Sequence, residues 1–217
     1  MKSSILLFFL IFGMNTSQAQ YSMRASMGID FANTPSLNDY INQNFPVIDN
    51  PVNDFNTAVN FSGEFGYSLT NTFQAGIELS YLLSSFTYSN ELGKFELDYN
   101  IISPSLLGYY VLNGSGYNFK FGGGFGIRFV NVDLSFPGTT TIINFSNTGY
   151  GFILRTEGNT LLGGNFYANI GADLKYDING SPKSGGANLY NNSSRENVNL
   201  NSLAVAIRLG VAYIFKE

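Results

Sequence analysis

The sequence predicts an all-β protein, an eight-stranded antiparallel up-and-down transmembrane β-barrel. Three observations carry this reading. Eight segments alternate apolar and polar residues with period two, the repeat of a strand whose two faces meet different surroundings. The charged residues of those segments fall on the polar parity. Aromatic residues gather at both ends of the apolar parity, with Tyr21, Tyr67, Phe73, Tyr109, Tyr117, Tyr213 and Phe215 near the short turns and Phe31, Tyr81, Phe129, Tyr150 and Tyr176 near the long loops, as at the two interfaces of a bilayer.

The chain opens with an address rather than a strand. Lys2 is the sole charge before Arg24, Ile5 to Phe12 is unbroken apolar, and Ser17-Gln18-Ala19 places small residues around a cleavage point. This is the order of a secretory signal peptide, and the run is shorter than the roughly 20 residues of a membrane span. Residues 1–19 are therefore expected to be removed, and residues 20–217 to form one barrel domain.

The first strand reads Tyr21, Met23, Ala25, Met27, Ile29 and Phe31 against Ser22, Arg24, Ser26, Gly28 and Asp30. The second runs over Val59 to Leu69, and the third over Phe73 to Leu83. The fourth begins Phe95, Leu97, Tyr99 and Ile101 against Glu96, Asp98 and Asn100. Its alternation fails at Ser103-Pro104-Ser105, where a bulge is expected because proline cannot donate to a ladder. The fifth spans Tyr117 to Phe129, after which the apolar parity moves to Val130, Val132 and Leu134. A second bulge would do this, and so would strands rising beyond the membrane. The sixth covers Tyr150 to Arg155, the seventh Phe166 to Tyr176, and the last Leu203 to Phe215.

Short turn signals stand at Asn71-Thr72, at 113–116 and at Glu157-Gly158-Asn159. Longer polar segments, about 33–54, 89–94, 133–148 and 177–197, lie between them. Short turns on one side and long loops on the other mark membrane barrels. A short helical turn is expected within 36–45. The Gly-, Ser- and Asn-rich stretch around Pro182 is expected to be mobile.

Composition narrows the function. There is no Cys and no His, so thiolate chemistry, zinc–cysteine sites and the commonest general base and metal ligand are excluded. Eleven basic against fifteen acidic residues leave no electrostatic footprint for nucleic acid. Only 12% of residues are charged, and the polar parity is mostly Gly, Ser, Ala and Asn, which suits a crowded barrel interior better than a solvated face. A secreted soluble barrel or a β-sandwich shares the alternation but not this charge distribution.

Charges in that interior are the candidate site. Glu64, Glu78, Lys120 and Arg208 are expected at lower or middle depth, and Asp30, Glu96, Asp98, Arg128, Asp173 and Lys175 nearer the outer rim. Arg24, Arg155 and Glu157 share the same parity. Buried charges persist when paired, so a lumenal salt-bridge network is expected, acting as a plug that fixes strand register or as a gate in a narrow conduit. No catalytic set, cofactor site or metal site is expected. Glu96 and Asp98 share a strand face but lack a recognisable partner set. The run Gly122 to Gly126 lacks the Lys-Ser/Thr of a phosphate loop and is read as room for a neighbour's side chain. Asp177-x-Asn179-Gly180 opens like a calcium loop, but residue 188 is Asn where a bidentate Glu belongs.

The signal peptide, the eight segments and the terminal Val211-x-Tyr213-x-Phe215 together resemble the small outer-membrane β-barrel families, in particular the eight-stranded domains of OmpA and OmpX. That terminal segment is similar to the signal by which such barrels are recognised for assembly, although Lys216-Glu217 follow it. The abundant Asn and Tyr resemble Bacteroidetes-type, porin-like outer-membrane barrels. The resemblance implies a Gram-negative outer-membrane location, contact with outer-membrane lipid, and passage through the barrel-assembly machinery. Two roles are expected: a non-enzymatic scaffold binding an envelope or extracellular ligand through its long loops, or a narrow pore or lateral carrier for small solutes.

Overall fold

The protein is described by a computed structural model covering residues 20–45, 56–90, 93–139 and 141–215. The expected leader, part of the first long segment (46–54) and Lys216-Glu217 lie outside the described residues.

The long strands are β1 (Tyr21–Asn33), β2 (Asn56–Ser68), β3 (Phe73–Asn90), β4 (Gly93–Gly114), β5 (Tyr117–Ser135), β6 (Ile142–Gly163) and β7 (Phe166–Ile178). After four two-residue strands, β8 (Lys183–Ser184), β9 (Ala187–Asn188), β10 (Tyr190–Asn191) and β11 (Glu196–Asn197), the last long strand is β12 (Ser202–Ile214). Each long strand pairs antiparallel with its neighbours, β1 pairs with β12, and β5 with β6, so the eight close into a ring.

The ring has a low wall and a tall wall. β7, β12, β1 and β2 have 13 residues each. At about 3.3 Å per residue and a tilt near 40°, that crosses roughly the 30 Å hydrocarbon core of a bilayer. β3 to β6 have 18, 22, 19 and 22 residues and rise beyond it. Outward side chains in the crossing zone, such as Met27, Ile77, Leu106, Phe125, Ile170 and Leu209, are exposed and apolar. Among the described residues no charged side chain lies on that belt.

Above the belt the chemistry of the two faces inverts. On β4, Leu97, Tyr99 and Ile101 point inward and Asp98 outward. On β5, Val130, Val132 and Leu134 point inward, with Asn131 and Asp133 on the outer side. Neither strand bulges: the β4–β5 pairing skips Ser103 and Pro104 but keeps one offset from Glu96–Ser135 to Gly114–Tyr117. The expected bulge at Ser103-Pro104-Ser105 is absent, with Pro104 on the outer face opposite Leu79. Strands rising above the membrane, rather than a bulge after Phe129, explain the change of parity. Outside the lipid the exterior meets water and the interior must fill with something apolar.

That filling is α1 (Pro35–Asn44) and the loop before β12. Pro35 opens the helix where a missing N–H costs least, and Leu37, Tyr40 and Ile41 form one buried face. They pack with Leu189, Val198 and Leu200 of the loop against the inner face of β4 and β5. Phe45 sets its ring against Phe86 and Phe95 at 5.7 and 5.3 Å. The stretch around Pro182, expected to be mobile, is hydrogen-bonded to its surroundings. Asn201 accepts from the amides of Asn179 and Gly180, both at 3.0 Å, and Leu189 pairs with Pro182 and Val198.

Two further expectations change. Glu157-Gly158-Asn159 is not a turn: β6 continues to Gly163, with Glu157 and Asn159 facing inward. The turn falls at Gly164, where φ is +57°, with a register shift between Leu161 and Gly163. The loop expected over 133–148 shrinks to 136–141, because β5 and β6 extend as part of the tall wall.

Candidate functional site

The interior is layered from the turn end outward. The first layer is uncharged: Gln74 Nε2 donates to Ser22 Oγ at 2.7 Å, Asn159 Nδ2 to Asn118 Oδ1 at 2.8 Å, and Asn169 Nδ2 to Asn159 Oδ1 at 2.8 Å.

The second layer holds the charges, and the ladder register places them. Arg24 stands opposite Glu64, Lys120 opposite Glu157, and Arg155 opposite Asp173. Arg155 is the hub. It meets Asp173 through Nε and Nη2 at 2.9 Å each, and Glu78 through Nη1 and Nη2 at 2.6 and 3.0 Å. Both contacts are two-pronged, the geometry in which a guanidinium binds carboxylates most strongly. Arg24 Nη2 reaches Glu64 at 2.5 Å and Glu78 at 3.0 Å, and Arg24 Nη1 contacts Glu157. Arg208 Nε lies 3.1 Å from Asp173 Oδ2, and Lys120 Nζ lies 3.3 Å from Glu157 Oε1. Tyr109 donates to Glu64 Oε2 at 2.7 Å and accepts from Arg155 Nη1 at 3.1 Å. Four cations face four carboxylates in this layer, so it carries no net charge. All are buried.

The third layer has two pairs. Lys175 Nζ donates to Asp30 Oδ2 at 2.7 Å. Arg128 Nε donates to Asp177 Oδ1 at 2.7 Å, with a further bond from Nη1 to Ser105 Oγ at 3.2 Å. The apolar cap closes the barrel above them.

Of the residues singled out from the sequence, Arg24, Glu64, Glu78, Lys120, Arg208, Asp173, Arg128 and Lys175 all face the lumen. Asp98 does not. It is exposed on the outer face of β4, opposite Asp133. Glu96 sits on the same outer side, paired with Lys94. The misplacement has a plain cause: on upper β4 the polar parity is the outer one. Asp177 was not foreseen as a lumenal group. Its signal was the unbroken period Asp173, Lys175, Asp177 on β7. Its Oδ1 is engaged by Arg128.

The same parity exchanges two tyrosines. Tyr109, expected in the lower aromatic girdle, is inward, and Tyr110 takes the outer place with its ring 5.5 Å from Phe73. The rest of that girdle is continuous: Tyr21 with Tyr67 at 5.3 Å, Phe166 with Tyr213 at 4.9 Å, and Tyr213 with Phe215 at 4.8 Å. Room for Tyr109 comes from the glycines of β5. A Cβ on Gly122 would stand 2.0 Å from the Gly108 carbonyl oxygen and 2.8 Å from the Tyr109 ring.

No protein-family model matches this chain, and no curated protein matches its sequence. Solved structures match its fold. A major outer membrane protein from Thermus thermophilus is similar with a TM-score of 0.54 at 13% identity, covering 92% of this chain and 100% of that one. Neisserial surface protein A is similar with a TM-score of 0.53 at 12% identity and the same coverages. Ail, the attachment invasion locus protein of Yersinia pestis, is similar with a TM-score of 0.53 at 13% identity, again with the same coverages. At such identities the likeness is one of fold, that of the small outer-membrane β-barrels.

Proposed function

We propose that this chain is a non-enzymatic integral protein of a bacterial outer membrane, serving as an envelope scaffold that binds ligands at its outer surface, with a lumen plugged by its own charges. One observation carries the reading: a charge layer of zero net charge spans the lumen beneath an apolar cap. Conduction needs sites of one sign or a wetted path that ions can enter and leave. Mutually paired guanidinium and carboxylate groups offer neither, and they hold eight strands in register instead. The membrane assignment rests on the lipid-compatible belt and on the fold of the outer-membrane proteins it resembles. The leader over 1–19 would carry it across the inner membrane, and Val211-x-Tyr213-x-Phe215 would present it to the barrel-assembly machinery.

Surface binding is favoured by how the outer end is built. A rigid scaffold that holds its loops in fixed positions is where recognition sits. Here an outer groove of about 450 Å³ runs between α1 and the loop before β12, with Asp39, Asn191, Ser194, Glu196 and Asn199 along it. The partner it suits is hydrophilic, an envelope or extracellular molecule rather than a nucleic acid.

The test is conductance. The protein is folded in detergent, its fold confirmed by heat-modifiable gel mobility, and planar bilayers are recorded. Folded protein with a silent bilayer is expected. Stable salt-dependent steps, altered by charge swaps at Glu78 or Arg208, would replace this reading with a narrow pore.

A further inference from the structure

The outer half of the barrel encloses a cavity of about 160 Å³. On the side of β3 and β4 its wall is bulky, with Leu82, Leu97 and Ile101. On the side of β1, β2 and β12 it is small, with Ala32, Ala58 and Ala204. Leu37 and Ile41 of α1, with Phe86 of β3 and Tyr99 of β4, complete the apolar lining. Alanines facing leucines leave a void that neither wall fills. An apolar cavity of about 150 Å³ is large enough to take a benzene-sized molecule.

The lining also includes Asp30 and Asp177. Asp177 is engaged by Arg128. Asp30 is fully buried and gives Oδ2 to Lys175, while its Oδ1 has no hydrogen-bond partner among the described residues. The register explains the orphan. Asp30 stands opposite Ala206 on β12 and opposite Ala58 on β2, and neither side chain can donate. A buried carboxylate oxygen without a hydrogen bond is costly.

A mouth exists. The β2–β3 ladder ends at Val59–Leu83, although β2 begins at Asn56 and β3 continues to Asn90. Above that pair Thr57, Ser84 and Ser85 line the cavity, and Ser84 Oγ reaches the Thr57 carbonyl only at 3.4 Å.

We propose that this cavity binds a small amphiphile: one ring or a short chain of that size, carrying a hydrogen-bond donor that Asp30 Oδ1 accepts. The donor is a hydroxyl or an ammonium. Asp30 and Asp177 are balanced by Lys175 and Arg128, so recognition rests on the hydrogen bond and the apolar fit rather than on net charge. The site meets the outer groove only at Ser202 and stands whether or not that groove binds anything.

The test is photolabelling of the folded full chain in detergent with a diazirine derivative of benzyl alcohol, mapped by mass spectrometry. Label is expected on the inner positions of β3 and β4 around Leu82 and Leu97. Benzyl alcohol or benzylamine should compete about tenfold better than toluene, the worth of one buried hydrogen bond. Their order tells whether the head is neutral or cationic. Ala58→Leu and Ala204→Leu each fill the void and should abolish the label while keeping heat-modifiable mobility. Should either variant fail to fold, the other and the wild-type competition decide. Label confined to other sites, toluene competing as well as benzyl alcohol, or undiminished label in a folded filled variant would each overturn the proposal.

Discussion

Glu64 and Glu78 stand directly opposite each other in the β2–β3 ladder, and both are buried. Like charges in that position repel, and nothing on either strand relieves them. Relief comes from elsewhere in the ring. Arg24 Nη2 touches Glu64 at 2.5 Å and Glu78 at 3.0 Å from the neighbouring β1, and Arg155 Nη1 touches them at 3.2 and 2.6 Å from β6. β6 lies four places from β2 in the ring, so Arg155 is a strut across the lumen.

Arg155→Ala should therefore be the costliest single change in the lumen. It strands Glu78 and Asp173 as buried, underpaired carboxylates, a loss of about 3–5 kcal/mol. Arg155→Lys should recover less than half, because a point charge cannot make two forked contacts. Glu64→Gln removes one member of the repelling pair and should cost less than Arg155→Ala. Urea midpoints read from heat-modifiable gel mobility rank the three. Equal midpoints for Arg155→Ala and wild type would dissolve the strut.

Tyr109 and Tyr110 offer a test of register by subtraction of one oxygen. Tyr109→Phe removes a donor to Glu64 and an acceptor for Arg155. A loss of about 1–3 kcal/mol follows for a buried bond to charged groups. Tyr110→Phe changes an outward ring beside Phe73 and should stay within about 0.5 kcal/mol. The same urea midpoints decide, and the reverse order would place β4 the other way round.

Gly124 and Gly108 differ in what a methyl group would meet. On Gly124 it would lie 2.0 Å from the Leu106 carbonyl oxygen and 2.7 Å from Leu107 Cδ2. Backbone cannot step aside as a side-chain tip can, so Gly124→Ala should lower the folded yield severalfold, an overpacking cost of at least about 1–3 kcal/mol. Around Gly108 nothing lies within 4 Å, and Gly108→Ala should refold like wild type. The ratio of fast to slow gel bands after refolding measures both.

Most of the barrel was legible because period two, a charge-free lipid face and turn chemistry are all local signals. What was not legible depends on depth. Leu97, Tyr99 and Ile101 carry the pattern of a lipid-facing strand, but that pattern means lipid outside only where lipid is present. Above the bilayer the same residues turn inward onto α1. Glu157-Gly158-Asn159 likewise has turn residues, yet Gly158 sits mid-strand with the Phe119 ring over it, 3.1 Å from where a Cβ would be. The cavity was not legible at all, since it arises from three alanines on three strands that only the ring closure brings together.

Asp98 tests that depth argument directly. It lies on the outer face of β4 opposite Asp133, whereas Ser105, on the same strand, is buried in the lumen beside Arg128. The chain has no cysteine, so a single introduced thiol is read without background. Asp98→Cys should react with a membrane-impermeant maleimide on intact cells as fast as an unfolded control, and Ser105→Cys should react only after denaturation. Asp98→Cys should also leave stability unchanged or slightly raised, because it removes one of two like charges facing each other across a ladder. Were position 98 protected and position 105 labelled, β4 would face the opposite way and the tall wall would not stand clear of the membrane. Labelling at 98 with protection at 105 fixes the facing of the strand and sets position 98 clear of the lipid, the two points on which the inversion of inner and outer chemistry rests.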